Sequence, residues 1–493
     1  MAIETELKLC VTPEQLERIR RHAILKDYRI AKPVSRRLHN IYFDTPELEL
    51  HQRKMALRLR RVGGQWLQTL KGGGSVKAGL HQRDEFEVPV ARAHLNFSVL
   101  SGEQLPAELR EKLAPVFTTD FYRTTRMLDW QGAQIEVCMD HGEIKTLQRS
   151  TPICEVELEL KSGEPRQLFE LAEALLDIVP FELETVSKAE KGFRLLAGFV
   201  SQTVKFELPE LLKTGGLTDA LQSLIWACLL HFQENLRGVH CENHDAEYVH
   251  QMRVALRRLR VVLRMCEKLH TDEELALLRD AAAKLGITLG RIREWDVFIV
   301  QIILPMSSSI EENHGQALLA YCEQQRAACY ASLVPRELQH FILRFAIWMN
   351  GGYWQVAESV APSLPDFSNR YLQRLSKRYK RAAEQLDNAR QLHALRIVVK
   401  KLRYSVEFFS MLYDKHKVKF YLSALGEVQE LLGFINDISV AQRLLDDMNK
   451  HLPQHNEVIV FLKDKLDAEL PIKLTMLHKA LHSLGEQQPF WKT

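Results

Sequence analysis

The chain of 493 residues lacks several features that would place it in a common class of protein. No apolar run approaches the roughly 18 residues that a membrane-spanning helix needs. The eight cysteines form neither a CxxC pair nor a regular framework, which indicates reduced thiols rather than a disulfide scaffold. The opening residues MAIETE lack the basic region of a signal peptide. Together these absences predict a cytoplasmic protein.

The chain also lacks an excess of charge of either sign. Its 66 Lys and Arg residues nearly balance 63 Asp and Glu residues, for a net charge of +3. A binding site for an anion must therefore come from local clustering of charge. With 46% hydrophobic and 26% charged residues, the composition is that of a globular protein, and the length predicts two or three domains.

The first strand, residues 3–9, alternates charged with mostly apolar side chains. Because side chains alternate across a strand, Glu4, Glu6 and Lys8 share one face. At about 3.3 Å per residue the two glutamates lie roughly 6.6 Å apart, so that their carboxylates can converge on one hard cation. Lys8 would then meet the anion that such a cation brings. The alternative interpretation is an edge strand with a charged solvent face.

The first 200 residues continue as eight or nine short strands, one of them predicted over 143–148. Hairpin signals at Gly63-Gly64 and Gln131-Gly132 predict an antiparallel sheet that closes or nearly closes. Charge recurs at period two, which favours a barrel with a charged lumen over a sandwich with its polar faces outside. The basic set is Arg58, Arg60, Lys71, Arg123 and Arg126, and the acidic set is Glu4, Glu6, Glu155, Glu157 and Glu159.

The second half changes to a helical period after a linker at 201–217, which contains Pro209 and Gly215-Gly216. An offset of 143 residues aligns the segment at His250 with that at His393, and it predicts two copies of one helical bundle, about 218–350 and 366–493. The predicted fold class is α+β. An N-terminal antiparallel β-barrel tunnel with flanking helices, 1–200, precedes an all-α helical-bundle domain of two repeats, 218–493.

Basic residues recur every three or four positions along one helix of each repeat. Like charges at this spacing repel, so the two stripes indicate an anionic partner. The alternative is a solvated face with acidic neighbours on other helices. Nucleic acid ranks last as the anion because the stripes lack interleaved aromatic residues. The stripes consist of His250, Arg253, Arg257 and Arg260, and of His393, Arg396, Lys400 and Arg403.

These motifs resemble two known families. The ExExK strand at 4–8, the YFDTP turn at 42–46, the LRLR strand at 57–60 and Ser187-Lys188 are similar to a CYTH domain, the fold of the triphosphate tunnel metalloenzymes. The HxxRVxxRRLR segment from His250 and the HxxRIxxKKLRY segment from His393 resemble a CHAD domain. The second resemblance implies that the two basic stripes bind polyphosphate or another polyanion.

The CYTH resemblance also implies roles for individual residues. Glu4, Glu6 and Lys8 would be catalytic. The implied phosphate-binding residues are Lys8, Arg58, Arg60, Lys71, Arg126 and Lys188, with Arg123 as the alternative to Arg126. The implied ligands of Mg²⁺, with Mn²⁺ as the alternative metal, are Glu4, Glu6, Asp140, Glu155, Glu157 and Glu159. Three carboxylates on one strand face leave open which two of the last three bind.

The leading hypothesis is a hydrolase that cleaves inorganic triphosphate to pyrophosphate and phosphate in the tunnel, while the helical domain binds polyphosphate. It depends on the resemblance to bacterial proteins of this two-domain layout. The alternatives are a thiamine triphosphatase, a class IV adenylate cyclase and a non-catalytic polyphosphate-binding protein. A pocket for a base or thiazole ring would draw on Phe43, Trp66 or Phe121. The expected partner is triphosphate or polyphosphate, without a membrane.

Overall fold

A computed structural model describes residues 2–100, 105–199, 201–210, 215–239, 245–306, 311–386 and 388–491, with only the backbone of residues 2 and 3. The chain divides into two compact units, residues 1–202 with 334–351 and residues 203–333 with 352–493. The stretch 334–351 lies within the predicted first helical repeat, yet it packs with the first unit. Part of the predicted linker, 211–214, lies outside the described residues, and the predicted domain bounds stay a prediction.

The first unit is built on a closed antiparallel barrel, which confirms the predicted architecture. The strands pair in the order β5-β4-β3-β2-β6-β7-β8-β1, and β5 also pairs with β1, which closes the ring. A ninth strand, β9, adds to β1 outside the ring. The strands are β1 (Ala2–Cys10), β2 (Val34–Asp44), β3 (Ala56–Val62), β4 (Gln65–Lys77), β5 (Leu80–Val90), β6 (Ala114–Trp130), β7 (Ala133–Lys145), β8 (Ser150–Ser162) and β9 (Glu182–Leu183).

The two predicted hairpins are present, and one predicted strand is wrong. Gly63-Gly64 joins β3 to β4, and Gln131-Gly132 joins β6 to β7, where both Gln131 and Gly132 have positive φ. The segment 143–148 is not a strand of its own, because β7 continues through Lys145 before the chain turns into β8. Residues 140–142, which separated two predicted strands, pair with β6 and β8 without interruption.

Six α-helices accompany the barrel in the described part of the first 200 residues. The helix α5 packs against β1 and β8 and covers the outward apolar side chains of β1, among which Leu7 and Leu9 are fully buried. The charged side chains of β1 therefore turn into the barrel. The helices are α1 (Pro13–Arg21), α2 (Ile24–Asp27), α3 (Glu49–Gln52), α4 (Ala107–Arg110), α5 (Pro165–Leu176) and α6 (Lys188–Ala197).

The regular secondary structure of the described chain after α6 is all helical. Between α9 and α10 the helix widens into a π-helical stretch, Ile299–Ile303. Within the described residues no helix is long and apolar enough to cross a membrane. The helices are α7 (Leu217–Val239), α8 (Ala246–Cys266), α9 (Glu273–Phe298), α10 (Leu304–Met306), α11 (Glu312–Ala331), α12 (Pro335–Met349), α13 (Tyr353–Val360), α14 (Leu364–Ala383), α15 (Ala389–Phe408), α16 (Lys415–His451) and α17 (Asn456–Glu486).

The predicted repeat recurs in the order in which the helices pack. In the first copy α7 packs on α8, α8 on α9 and α9 on α11; in the second α14 packs on α15, α15 on α16 and α16 on α17. One apolar cluster contains Phe298 and Leu318 from the first copy and Leu445 and Leu462 from the second. The two copies therefore share a core, which brings α8 and α9 beside α15 and α16.

Candidate functional site

A small cavity of about 70 Å³ inside the barrel is lined by charged side chains of both signs. Strands β1, β3, β4, β5, β6 and β8 each contribute at least one of them, and the start of α6 adds another. The basic side chains are Lys8, Arg58, Arg60, Lys71, Arg83, Arg123 and Lys188, and the acidic side chains are Glu4, Glu6 and Glu157. The predicted charged lumen is thus present, and most of the predicted phosphate-binding residues meet in it.

The cations of the first strand and its neighbours are paired with carboxylates. Lys8 Nζ lies 2.8 Å from Glu6 Oε1 and also pairs with Glu157. Lys71 pairs with Glu4 and lies 3.3 Å from Glu85 Oε1. These side chains are between 4% and 23% exposed, so water screens the ion pairs only weakly. A polyanion entering the cavity would compete with Glu4 and Glu6 for their ammonium partners.

The ammonium of Lys188 lies among three buried carboxylates. Asp140, Glu155 and Glu157 bring one oxygen each within 4.8 Å of the others. Lys188 Nζ lies 2.6 Å from Asp140 Oδ2 and 3.0 Å from Glu157 Oε1, and it also pairs with Glu155. The Ser187 hydroxyl accepts a hydrogen bond from the Glu190 amide and caps α6, which fixes Lys188 at the first turn of that helix.

Charge pairing outweighs burial in this cluster. Burial alone would lower the pKa of Lys188, but the carboxylates of Asp140, Glu155 and Glu157 raise it well above its ordinary value. Burial would raise the pKa of Glu157, but Lys188, Lys8 and Arg123 hold it well below its ordinary value. Lys188 and Glu157 are therefore fully charged at neutral pH. The lumen is a network of opposite charges rather than a set of neutral groups.

The carboxylates inside the barrel offer the oxygen ligands that a hard divalent cation prefers. Asp140, Glu155 and Glu157 form a cluster of suitable size, but Lys188 already lies among them. Further along the same face of β8, burial raises the pKa of Glu159, Lys161 opposes this shift, and the negative charges of Glu4 and Glu136 add to it. Negative charge thus accumulates near Glu4 and Glu159, where a cation would relieve repulsion. Glu4 and Glu6 face the cavity, and they fit the role of ligands with least rearrangement.

Some predicted site residues do not line the cavity. Asp140 and Glu155 lie behind Lys188, and Glu159 lies 2.6 Å from Lys161. Arg126 donates to the backbone carbonyls of Leu25 and Arg20, away from the lumen. Arg123, the predicted alternative, enters the lumen and donates two hydrogen bonds of 2.8 and 2.7 Å to Asp140. The two arginines are three residues apart on β6, so they lie on opposite faces of that strand.

Among the charged and aromatic residues that line the cavity, Arg83 and Tyr42 had no predicted role. Arg83 alternates with Glu85 on β5, so the period of two along that strand could have identified it. Tyr42 belongs to the YFDTP turn, and it is the one aromatic residue among the described residues that line the cavity. Phe43 and Trp66 pack in an apolar cluster outside the lumen. Phe121 is buried beneath Lys188, whose Nζ lies 5.0 Å from the centroid of its ring.

The helical unit contains a second, much larger cavity of about 1160 Å³ between the two repeats. It is lined mainly by α8, α9, α15 and α16. Seven of the eight predicted residues line it: His250, Arg253, Arg257, His393, Arg396, Lys400 and Arg403. Arg260 lies further along α8 and has Arg264, Arg279 and Asp280 as its charged neighbours. The lining also includes Arg258, Arg293 and Arg443, which the stripes did not contain.

Positive charge in this cavity is only partly compensated. Burial, Arg257, Arg396 and Arg253 together lower the pKa of Lys400 to about 6, against a weaker opposing effect of Asp437. Burial and the neighbouring Arg293 lower the pKa of His250 to about 4, so its ring is neutral at pH 7. The buried Nε of Arg396 has no hydrogen-bond partner within the described structure. An anion in this cavity would relieve the repulsion among these groups.

Comparison with known proteins follows the two units. A model of the CYTH domain matches residues 2–193, and a model of the CHAD domain matches residues 223–446. The chain carries a CYTH domain followed by a CHAD domain. A CHAD domain from the plant Ricinus communis, known from its crystal structure, is 32% identical, with a TM-score of 0.50, over 57% of this chain and 97% of its own.

The chain has a curated relative in Haemophilus influenzae, an inorganic triphosphatase that is 36% identical over 204 residues. This match covers 40% of the chain and 55% of the relative, so the chain spans about half the length of the relative it matches. A structure of a putative adenylyl cyclase from Hippeastrum is 18% identical, with a TM-score of 0.30, over 40% of this chain and 97% of its own.

Proposed function

We propose that the CYTH domain hydrolyses inorganic triphosphate to pyrophosphate and phosphate, and that the CHAD domain binds polyphosphate. The observation that carries the first part is the convergence of seven cations with Glu4, Glu6 and Glu157 inside one closed barrel. A chain of phosphates needs many cations along its length, and an apolar or aromatic pocket would add nothing to its binding. The similarity of the chain to the inorganic triphosphatase of Haemophilus influenzae supports the same proposal.

The side chains of the lumen act chiefly by binding and charge stabilisation. Arg60 Nε donates to Asn40 Oδ1 at 2.8 Å, which leaves the rest of the guanidinium for phosphate oxygens. Phosphate oxygens replace Glu4 as the partner of Lys71 and Glu6 as the partner of Lys8. Hydrolysis of a phosphoanhydride depends on positioning and on cations that stabilise the charge of the transferred phosphoryl group.

Exchange of partners also frees the carboxylates of Glu4 and Glu6. A divalent cation such as Mg²⁺, or Mn²⁺, held by these two residues and by Glu157 or Glu159 would neutralise phosphate charge and lower the pKa of an attacking water. Arg123 and Lys188 stay near the substrate because Asp140 anchors both of them. Asp140, which does not line the cavity, thus holds these two phosphate-binding side chains in place.

The lining of the cavity favours triphosphate over thiamine triphosphate and ATP. Phe43, Trp66 and Phe121, the three aromatic residues available for a base or thiazole ring, do not line it. Tyr42 is fully buried beside Arg58 and stacks on Phe117 with ring centroids 4.6 Å apart. The space within the barrel is therefore suited to phosphate groups alone.

A comparison of substrates tests this proposal. Full-length protein with Mg²⁺ is expected to release phosphate from triphosphate with a kcat/KM at least about tenfold above that for ATP or thiamine triphosphate. Cyclic nucleotide and pyrophosphate from ATP would instead show a cyclase. Binding of all three compounds without release of phosphate would show a non-catalytic polyphosphate-binding protein.

The CHAD proposal makes a prediction about pH. Lys400, with a pKa of about 6 in the free protein, is mostly neutral at pH 8, and a bound polyanion favours its charged form. Binding therefore takes up a proton, and affinity for long-chain polyphosphate is expected to rise by about tenfold between pH 8 and pH 6. Titration calorimetry in buffers of different ionisation enthalpy measures both the affinity and the proton uptake.

The charged groups facing Lys400 are Arg253 and Arg257 on α8, Arg396 on its own helix and Asp437 on α16. The variant Lys400→Arg stays charged throughout this range, so it is expected to bind more tightly at pH 8 and to lose most of the proton uptake. Equal proton uptake by the variant and the unmodified protein would contradict the role of Lys400.

A further inference from the structure

The helix α12 lies between the two CHAD repeats in the chain, but it packs with the barrel unit. It contacts α5 and β9, and its apolar face is buried. Two polar contacts tie it to the helix α5 region: Arg336 pairs with Asp177, and His340 Nε2 lies 3.0 Å from Glu173 Oε1. The barrel unit is therefore completed by a helix that follows it by more than a hundred residues in the sequence.

The polar core of this contact is Gln339, which is 3% exposed. Its Oε1 accepts a hydrogen bond of 3.0 Å from the backbone amide of Leu183. Leu183 belongs to β9, which has β1 on one side and, among the residues that the structure describes, no further strand on the other. The amide that points away from β1 would lack a partner in the sheet, and Gln339 supplies one.

The segment held by Gln339 leads directly into the active site. One residue after Leu183, the Glu184 amide donates to the carbonyl of Lys8 at 2.8 Å. Five residues after Leu183, Lys188 enters the lumen at the start of α6. Residues 183–188 therefore contact one phosphate-binding lysine through its backbone and carry the other.

We propose that Gln339 is a positioning residue for triphosphate binding, and that it acts through Leu183 on Lys8 and Lys188. This inference depends on the proposed triphosphatase function. Gln339 does not touch the cavity, so its effect reaches the substrate only through the placement of residues 183–188. Through α12, a helix from the second half of the chain thus sets the affinity of the tunnel for its substrate.

The test compares variants of the full-length protein. Gln339→Met keeps the volume but removes the acceptor, and it is expected to raise the KM for triphosphate about three- to tenfold with kcat within about twofold. Amide hydrogen exchange of residues 182–188 is expected to be at least about tenfold faster. Gln339→Glu keeps an acceptor oxygen and is expected to retain the unmodified KM. Arg336→Met, which removes an exposed ion pair of the same helix, is the matched control.

Each result decides the inference. A raised KM with faster exchange in Gln339→Met, and neither in Gln339→Glu or Arg336→Met, supports it. A lower kcat with unchanged KM in Gln339→Met would show loss of active molecules, and therefore a purely structural role for Gln339. Unchanged kinetics and exchange in Gln339→Met would also overturn the inference. Gln339→Asn, whose amide is one methylene too short, replaces Gln339→Met if that variant does not fold. Absence of turnover in the unmodified protein would instead refute the triphosphatase, while the exchange rates still show whether Gln339 holds β9.

Discussion

The variant Glu4→Gln/Glu6→Gln is expected to hydrolyse triphosphate about 1000-fold or more slowly than the unmodified protein. The two carboxylates face the cavity, and they are the proposed ligands that a divalent cation would reach without displacing Lys188. Glutamine keeps the shape of glutamate but loses the charge that holds the cation. Initial rates of phosphate release at saturating Mg²⁺ measure the loss.

The same variant is expected to stay folded and to bind triphosphate without metal at least as well as the unmodified protein. Lys8 keeps Glu157 as its partner, and Lys71 keeps Glu85, so neither ammonium is left without a carboxylate. Removing two negative charges makes the lumen more attractive to an anion. Metal-free titration calorimetry measures this binding.

The matched control is Glu47→Gln/Glu143→Gln, which neutralises the exposed Glu47 and the half-buried Glu143, both outside the lumen. Full Mg²⁺-dependent turnover by Glu4→Gln/Glu6→Gln would contradict the proposed active site. A loss of the same size in Glu47→Gln/Glu143→Gln would show that the effect does not come from the lumen.

The variant Arg253→Met/Arg396→Met is expected to lower the affinity for long-chain polyphosphate by about 100-fold or more at low salt. The two arginines stand at equivalent positions of the two repeats, and both line the same cavity. Burial and the positive charges of Arg257 and Arg396 lower the pKa of Arg253 to about 10. Arg253 Nη1 donates to the Gly290 carbonyl at 2.8 Å, which fixes its guanidinium at the cavity wall. Methionine keeps most of the side-chain length without the charge.

Salt dependence distinguishes a lost phosphate contact from a general loss of structure. Each phosphate contact adds to the slope of log affinity against log salt, so the slope is expected to become shallower by about two units. Hydrolysis of triphosphate in the tunnel by this variant is expected to stay within about twofold of the unmodified rate.

The control is Arg370→Met/Lys377→Met, which removes two exposed cations on α14 and is expected to leave the affinity within about threefold. An unchanged affinity in Arg253→Met/Arg396→Met would contradict binding in this cavity.

The lumen could be predicted from the sequence because charge recurs every two residues along β1 and β8. In a barrel that period places the recurring charges of a strand on one face, so Glu4, Glu6 and Lys8 enter together. The same rule separates Arg123 from Arg126, which are an odd number of residues apart. The sequence left these two as alternatives because it does not fix which face of β6 is turned inward.

The carboxylates that hold the basic side chains of the lumen in place could not be predicted, because these contacts join elements that are distant in sequence. Asp140 and Glu155 resemble metal ligands as residue types, yet in the structure they hold Lys188, which arrives on α6. The period of the charges does not show how deep each residue lies along the barrel. In the CHAD domain, the spacing along α8 likewise predicts a shared stripe, but the cavity ends before Arg260.

The helix α12 is the clearest case of information that local sequence does not contain. Its amphipathic pattern predicts a helix with one buried face, which the structure has. The pattern does not say against which element that face packs. That α12 joins the barrel unit, and that the buried Gln339 meets an open strand edge at Leu183, follows from tertiary packing.

The most direct test of the central claim is a ³¹P NMR time course of triphosphate with full-length protein and Mg²⁺. The account predicts that the triphosphate signals disappear while pyrophosphate and phosphate appear in equal amounts, and that Glu4→Gln/Glu6→Gln leaves the spectrum unchanged over the same time. An unchanged triphosphate spectrum with the unmodified protein, or equal conversion by the variant, would contradict it.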